Sequence, residues 1–178
     1  MATDRTAEVK QVQDSLDFDK NTYTVEMETT KGPVRLEFFP DVAPGHVKNF
    51  LALAKIGFYN GIKFHRIIKG FVVQGGCPLG TGTGDAGYKI PAEFNNRIHE
   101  AGVLSMARAN DPDSAGSQFF LCLGRLTSLD NQYTVFGKVS DEESLQTVLA
   151  LGDVQTDRGD KPVSDVAMIN VTVKETPK

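Results

Sequence analysis

The sequence contains no tryptophan and only two cysteines, Cys77 and Cys122, in 178 residues. Neither cysteine belongs to a CxxC pair, and the three histidines lie far apart in the chain. The pattern therefore provides no cluster of metal ligands, and we expect no metal site. A disulfide between the two cysteines remains open, but reduced thiols are the favoured interpretation, because the chain is long enough to bury a core without one.

Positive charge is also in short supply. Nineteen Lys and Arg stand against 23 Asp and Glu, which gives a formal net charge of −4, and no basic stripe is visible. Because phosphate binding needs concentrated Lys and Arg, we expect no nucleic-acid partner and no membrane partner. No apolar run approaches the ~20 residues of a membrane span, and the N-terminus lacks the apolar core of a secretory signal. These features predict a cytoplasmic location.

The composition changes near residue 20. Residues 1–20 are polar and highly charged, and we interpret them as an N-terminal extension. Val9, Val12 and Leu16 have the spacing of a thin helical stripe, but a loose extension is the favoured interpretation. Residues 21–178 are enough for one domain with its own core.

Strand-like patterns dominate residues 21–178. Apolar residues alternate with polar ones from Tyr23 to Met27 and again from Val34 to Phe38, which predicts a β-hairpin around Lys31-Gly32-Pro33. Further strands are predicted within 58–76, 103–106, 118–123, 133–139 and 166–173. A glycine-rich loop is predicted over 80–87.

Only two segments beyond residue 20 have helical spacing. One runs from Val47 to Ala54, between Pro44 and Gly57, and the other begins after a capping Asp141 and ends near Gly152. Many short strands with one early and one late helix favour a mostly β protein built on an antiparallel barrel.

Two segments place lone polar residues in aromatic and aliphatic surroundings. Residues 64–76 (FHRIIKGFVVQGG) hold Arg66 and Gln74 in an otherwise apolar run, and residues 105–120 (SMARANDPDSAGSQFF) place Gln118 before two phenylalanines. A buried guanidinium is costly unless it is paired or used. The pattern indicates a groove that holds an apolar ligand with a few fixed hydrogen bonds. Strand alternation puts Gln118 and Phe120 on the groove face and Phe119 in the core.

Both segments resemble the signature segments of the cyclophilins, the peptidyl-prolyl cis–trans isomerases. The resemblance extends from about residue 23 to residue 173. It implies a closed eight-stranded antiparallel barrel capped by two α-helices. It also implies rotation about X–Pro bonds in unfolded or flexible protein segments, in support of protein folding and without a cofactor. We expect the chain to be a monomer.

The resemblance assigns a role to each matching residue. Arg66 is expected to donate a hydrogen bond to the prolyl nitrogen as the bond twists, and Gln74 is expected to orient Arg66. A structural ion pair between Arg66 and Glu93 is the alternative. The other matching residues are expected to bind the proline-containing peptide: Phe71, Val72, Ala107, Arg108, Ala109, Gln118, Phe120, Leu129 and Tyr133.

Four positions depart from the usual family pattern. Arg108 stands where asparagine is usual, Tyr133 where many members carry histidine, and Lys69 where proline is usual. Ser128 falls where cyclosporin-binding members carry tryptophan, which predicts weak cyclosporin binding. The main-chain contacts of residues 107–109 with substrate are expected to survive the change at Arg108.

Two other functions fit parts of the sequence. A non-catalytic module that binds proline-containing peptides would need the same groove. Residues 82–87 match GxGxxG, but no helix is expected after them, so nucleotide binding is disfavoured. His65 adjoins Arg66 in a strand and should face the opposite way, so we expect it to be structural.

Overall fold

Three helices and eight strands are present in the part of the chain that the computed structural model describes, residues 5–178. The helices are α1 (Thr6–Ser15), α2 (Pro44–Lys55) and α3 (Glu142–Gly152). The strands are β1 (Asn21–Thr29), β2 (Gly32–Phe38), β3 (Arg66–Ile68), β4 (Val72–Gly75), β5 (Val103–Met106), β6 (Phe119–Cys122), β7 (Val135–Val139) and β8 (Met168–Pro177). A 3₁₀ turn covers Thr127–Leu129.

The strands form one antiparallel sheet in the order β3-β4-β6-β5-β7-β2-β1-β8. Within residues 5–178, the edge strands β3 and β8 form no ladder with each other. The two edges meet just before these strands, where Lys63 bridges to Ala167 and the Phe64 N–H donates to the Val166 carbonyl at 2.9 Å. The sheet is therefore an open, curled half-barrel, and the expectation of a closed barrel is wrong. With three residues, β3 is too short to pair along the ten-residue β8.

The predicted hairpin is confirmed, with Met27 opposite Val34 in the β1–β2 pair. The two helices predicted beyond residue 20 are confirmed as α2 and α3. Asp141 caps α3 by accepting the Ser144 N–H at 2.7 Å. Helix α2 has Pro44 in its first turn and no side-chain hydrogen bond from its own N-cap residue, Ala43.

A distant carboxylate supplies the missing cap of α2. Glu93 accepts the N–H groups of Gly45 at 3.1 Å and His46 at 2.7 Å, and the His46 ring Nδ1 lies 2.6 Å from the same carboxylate. Burial disfavours the charged form of Glu93, but these hydrogen bonds outweigh it and lower the pKa of Glu93. The first turn of α2 is thus fixed by a residue 48 positions away from Gly45.

The expectation of a loose N-terminal extension is wrong for residues 5–20. Val9 is buried, and its helix, α1, packs on α2. Arg5 extends the contact by donating to the Ile56 carbonyl at 3.0 Å. A ten-residue helix is marginal on its own in water, so this packing stabilises α1. Residues 1–4 of the extension lie outside the described residues.

Strand β6 separates two groups of buried apolar side chains. Phe119 points into the main core, where its ring contacts Phe50 and Tyr59 edge-to-face. Phe120 points the opposite way, as the alternation predicted, into a second cluster with Val72 and Ala107. We call this second group, with the half-buried Phe71, Leu129 and Tyr133 that pack on it, the groove cluster.

Both cysteines are buried free thiols, so the disulfide alternative is wrong. None of the helices between residues 5 and 178 is long and apolar enough to cross a membrane.

Candidate active site

Strand pairing brings the two signature segments together. Arg66 lies opposite Gln74 in the β3–β4 ladder, and Gln74 lies opposite Phe120 in the β4–β6 ladder. A small cavity of about 190 Å³ opens there, and all nine of its lining residues were predicted from sequence. They are Arg66, Phe71, Val72, Gln74, Ala107, Arg108, Phe120, Leu129 and Tyr133.

A neighbouring cavity of about 270 Å³ contains the two remaining predicted residues, Ala109 and Gln118. It shares Gln74, Ala107 and Arg108 with the first cavity. All eleven predicted site residues therefore lie along one continuous groove. A larger cavity of about 530 Å³, lined by Arg5 and Cys77 among others, contains none of them. The convergence of predicted side chains, rather than cavity size, identifies the candidate site.

Phe120 forms the floor of the smaller cavity. Its side chain is only 4% exposed, and Tyr133 meets it edge-to-face with 5.6 Å between ring centroids. His99 stacks on the same ring from the protein side, with a centroid distance of 6.1 Å and an interplanar angle of 16°. The floor ring is thus held by two other rings, which makes a rigid apolar surface.

Arg66 is exposed at the rim of this cavity, and the expectation that its guanidinium is buried is wrong. Its strand is at the edge of the sheet, so the side chain reaches solvent while Ile67 beside it enters the core. Nη1 donates to Gln74 Oε1 at 3.1 Å, as the orienting role of Gln74 requires. Glu93 is committed to the first turn of α2, so the predicted alternative of an Arg66–Glu93 ion pair is wrong.

Arg108 forms the wall between the two cavities. Its guanidinium lies over the Tyr133 ring, with Cζ 4.6 Å from the centroid. It donates to the carbonyls of Gln132, Ala109 and Asn110 at 2.7–3.2 Å. Within residues 5–178 no carboxylate lies within ion-pair distance of it. Arg108 therefore fixes the adjacent backbone and leaves its positive charge uncompensated beside the groove.

Sequence reasoning missed a buried network behind the floor. His99 is fully buried, with Nδ1 3.0 Å from Asp130 and Nε2 2.9 Å from the Ser105 hydroxyl. Arg125 also donates to Asp130, at 2.7 Å, and lowers the pKa of that carboxyl together with the His99 N–H. Burial lowers the pKa of His99 and outweighs the opposing effect of Asp130. Ser105 is itself fully buried and donates to the Thr134 carbonyl, so this Ser-His-Asp arrangement supports the floor and exposes no nucleophile.

The other positions of interest surround the groove. Ser128 is exposed on the 3₁₀ turn, and Lys69 is exposed with Nζ 3.9 Å from Asp153. His65 is half-buried beneath Gly82 of the glycine-rich loop. Burial is the main cause that lowers the pKa of His65, and the positive charge of Arg66 lowers it further. No α-helix follows that loop within the described chain until α3, as predicted.

Comparison with known proteins agrees with this geometry. Residues 24–173 match the family model described as cyclophilin type peptidyl-prolyl cis-trans isomerase. A curated peptidyl-prolyl cis-trans isomerase of Synechococcus elongatus is 50% identical over 141 residues, covering 79% of this chain and 97% of the relative.

Solved structures give the same result. The crystal structure of a cyclophilin-type isomerase from Cryptosporidium parvum aligns with a TM-score of 0.81 at 34% identity, over 88% of this chain and 99% of that one. A second crystal structure of that protein, in the presence of the dipeptide Ala-Pro, aligns with a TM-score of 0.78 at 35% identity, over 85% of this chain and 98% of that one. This chain belongs to the cyclophilin-type peptidyl-prolyl cis–trans isomerases.

Proposed function

We propose that the 190 Å³ cavity holds the proline ring of a substrate and that Arg66 catalyses rotation of the bond before it. The barrier to X–Pro rotation is about 18–20 kcal/mol, so the uncatalysed reaction takes tens to hundreds of seconds. Bringing this to milliseconds requires about four or five decades of acceleration, or roughly 5.5–7 kcal/mol. No bond is broken, so a pocket and a well-placed donor supply what the chemistry needs.

The observation that carries the proposal is that Arg66 lines the same cavity as the apolar side chains of the groove cluster. One N–H group of Nη1 is used by Gln74, and an arginine has five such donors. The others remain for the substrate. As the amide twists, the prolyl nitrogen regains a lone pair that a permanently charged donor stabilises. This interaction is absent from the planar ground state. It therefore stabilises the transition state alone, and an interaction of that kind raises kcat.

The substrate is held by the rest of the groove. Phe120, Phe71 and Leu129 supply an apolar surface for the ring. Ala107 and Arg108 line both cavities. The N–H groups of Ala107 and Ala109 are used within the protein, so the backbone of Arg108 between them is what meets an extended peptide. The crystal structure of the similar protein in the presence of Ala-Pro supports a proline-containing ligand.

Protease-coupled isomerisation of an Ala-Pro tetrapeptide tests the assignment. We expect catalysis by the intact protein and a fall in kcat/KM of roughly 100-fold or more in Arg66→Ala, since a transition-state donor is lost. Lys69→Ala is the matched control, because it removes an exposed cation near the groove, and its activity should be unchanged. Peptide binding without turnover in the intact protein would instead support the non-catalytic module.

The wider role follows from the substrate. We propose that flexible X–Pro segments of other proteins are the substrates and that the chain assists their folding.

We also propose that the protein works in the cytoplasm, because two buried free thiols fit a reducing compartment. Ser128 offers little contact area on the exposed 3₁₀ turn, in keeping with weak cyclosporin affinity. Among residues 5–178, the exposed large apolar side chains are only Leu79, Phe94, Ile98, Val163 and Ile169, and this small number supports a monomer.

A further inference from the structure

A continuous line of hydrogen bonds connects the glycine-rich loop to Arg66. Gln118 Nε2 donates to the carbonyls of Gly82 at 2.9 Å and Gly84 at 3.0 Å. Gln118 Oε1 accepts from Gln74 Nε2 at 3.2 Å, and Gln74 Oε1 accepts from Arg66 Nη1 at 3.1 Å. Both N–H groups of the Gln118 amide are therefore used within the protein.

The loop carbonyls decide which way both amides face. A carbonyl oxygen accepts only, so the two carbonyls at Gly82 and Gly84 require the NH₂ group of Gln118 on their side. Its oxygen then faces Gln74, which in turn must present its own NH₂ group to Gln118 and its oxygen to Arg66. Reversing either amide would set two acceptors or two donors against each other, at the cost of a hydrogen bond.

The loop is itself held from inside by a buried sulfur. Cys77 Sγ accepts the N–H groups of Gly82 at 3.3 Å and Gly84 at 3.2 Å, and the residue is fully buried. Burial opposes the thiolate, but these and neighbouring backbone donors lower the pKa of Cys77 overall. Gly82 adopts a φ of +92°, a conformation that glycine tolerates, so the loop can direct both its N–H and its carbonyl inward.

From this geometry we propose that the glycine-rich loop, through Gln118 and Gln74, positions the Arg66 guanidinium before substrate arrives. The proposal rests on the catalytic role proposed above for Arg66. Gln118 and Cys77 are positioning residues in this scheme. An exposed arginine has a large rotamer entropy, and fixing one of its donors in advance removes part of that cost from the reaction.

A double-mutant cycle tests the relay. The variants are Cys77→Ala, Gln118→Leu and the double variant, with kcat and KM measured separately by exchange NMR on an Ala-Pro peptide. We expect each single change to lower kcat by about tenfold with KM altered less than about twofold, because donor placement acts on the transition state. In the double variant kcat should fall no further than in Gln118→Leu. Cys77→Ser keeps an acceptor and should restore kcat to within about threefold of the parent.

The controls separate positioning from loss of stability. Val25→Ala removes two buried methyl groups from β1, away from the groove, and should lower Tm while leaving kcat unchanged. If Cys77→Ala does not fold, Gln118→Glu serves instead, since a carboxylate of the same shape cannot donate to the loop carbonyls and should also lower kcat.

Three outcomes would overturn the relay while leaving catalysis by the parent protein intact. These are an unchanged kcat in the folded Cys77→Ala protein, an unchanged kcat in Gln118→Glu, and independent effects that multiply in the double variant. Absence of turnover in the parent protein is a different result, since it would remove the proposed function itself.

Discussion

Charge at the smaller cavity is carried by two arginines without acidic partners. Arg66 and Arg108 are the two charged residues that line the smaller cavity, and no carboxylate lines it. This positive rim belongs to a chain whose net charge is −4. A local field of one sign selects substrates by charge even when the whole molecule has the opposite sign.

Arg108 is therefore expected to favour an acidic residue beside the substrate proline. At low salt, kcat/KM for a Glu-Pro peptide should exceed that for the Lys-Pro peptide by roughly threefold to tenfold, in line with about 1 kcal/mol for an exposed ion pair. Arg108→Gln should remove most of this preference, and added salt should weaken it. Lys69→Gln is the control, because Lys69 is already near Asp153. Equal rates for the two peptides would contradict the prediction.

At the scale of single elements, the start of α2 depends on residues far away in sequence. Ala43 offers no side-chain acceptor, so Glu93 satisfies the free N–H groups of the first turn and also pairs with the buried His46 ring. A helix start that lacks a local cap leaves up to four unpaired donors. The position of α2 over the core is thus linked to the loop that carries Glu93.

Glu93→Ala should lower the free energy of unfolding by about 2–3 kcal/mol, because a cap is lost and a buried ring nitrogen loses its partner. Urea denaturation of the parent and variant measures this difference. Glu28→Ala is the matched control, since this exposed β1 carboxylate forms no hydrogen bond or ion pair within residues 5–178. It should change stability by less than about 0.5 kcal/mol. Similar losses in both variants would contradict the capping role.

The elements that were predicted correctly from the sequence are those specified by residues close to one another along the chain. The alternation around Lys31-Gly32-Pro33 and the cap at Asp141 are local signals, and both were confirmed. The alternation of β6 also placed Phe119 and Phe120 correctly. The signature segments predicted which side chains meet in the groove, because strand pairing joins them directly.

The features that sequence missed depend on tertiary contacts. His99 meets Asp130 across 31 positions, and no spacing rule marks that pair, although Asp130 adjoins the predicted Leu129. Helix α1 was missed because its apolar stripe is thin and its stability comes from α2. The open edge of the sheet was missed because strand lengths, here the three residues of β3, are poorly specified by local pattern.

For the molecule as a whole, two histidines with a lowered pKa make stability depend on pH. His99 and His65 both have a lowered pKa in the folded state, with burial as the main cause. Between the unfolded value of about 6.5 and the lower folded value, the unfolded chain binds protons that the folded chain does not. The free energy of unfolding therefore falls as pH drops below about 6.5. The lowered pKa of Glu93 adds a further loss at more acidic pH.

Thermal unfolding between pH 7.5 and 5 measures this effect. Tm should fall with decreasing pH, and the slope should be shallower in His99→Gln, since each histidine contributes at most about 1.4 kcal/mol per pH unit. His65→Gln allows the remaining slope to be divided between the two rings. A Tm that rises on acidification would contradict the lowered pKa of His99, because it would show that Asp130 holds the ring as an imidazolium.

The back-to-back placement of Phe119 and Phe120 separates the groove from the main core. Successive side chains of β6 point to opposite faces of the sheet, so Phe120 belongs to the groove cluster and Phe119 to the main core. A substitution on the groove face of β6 therefore changes the floor of the smaller cavity without removing a side chain from the main core.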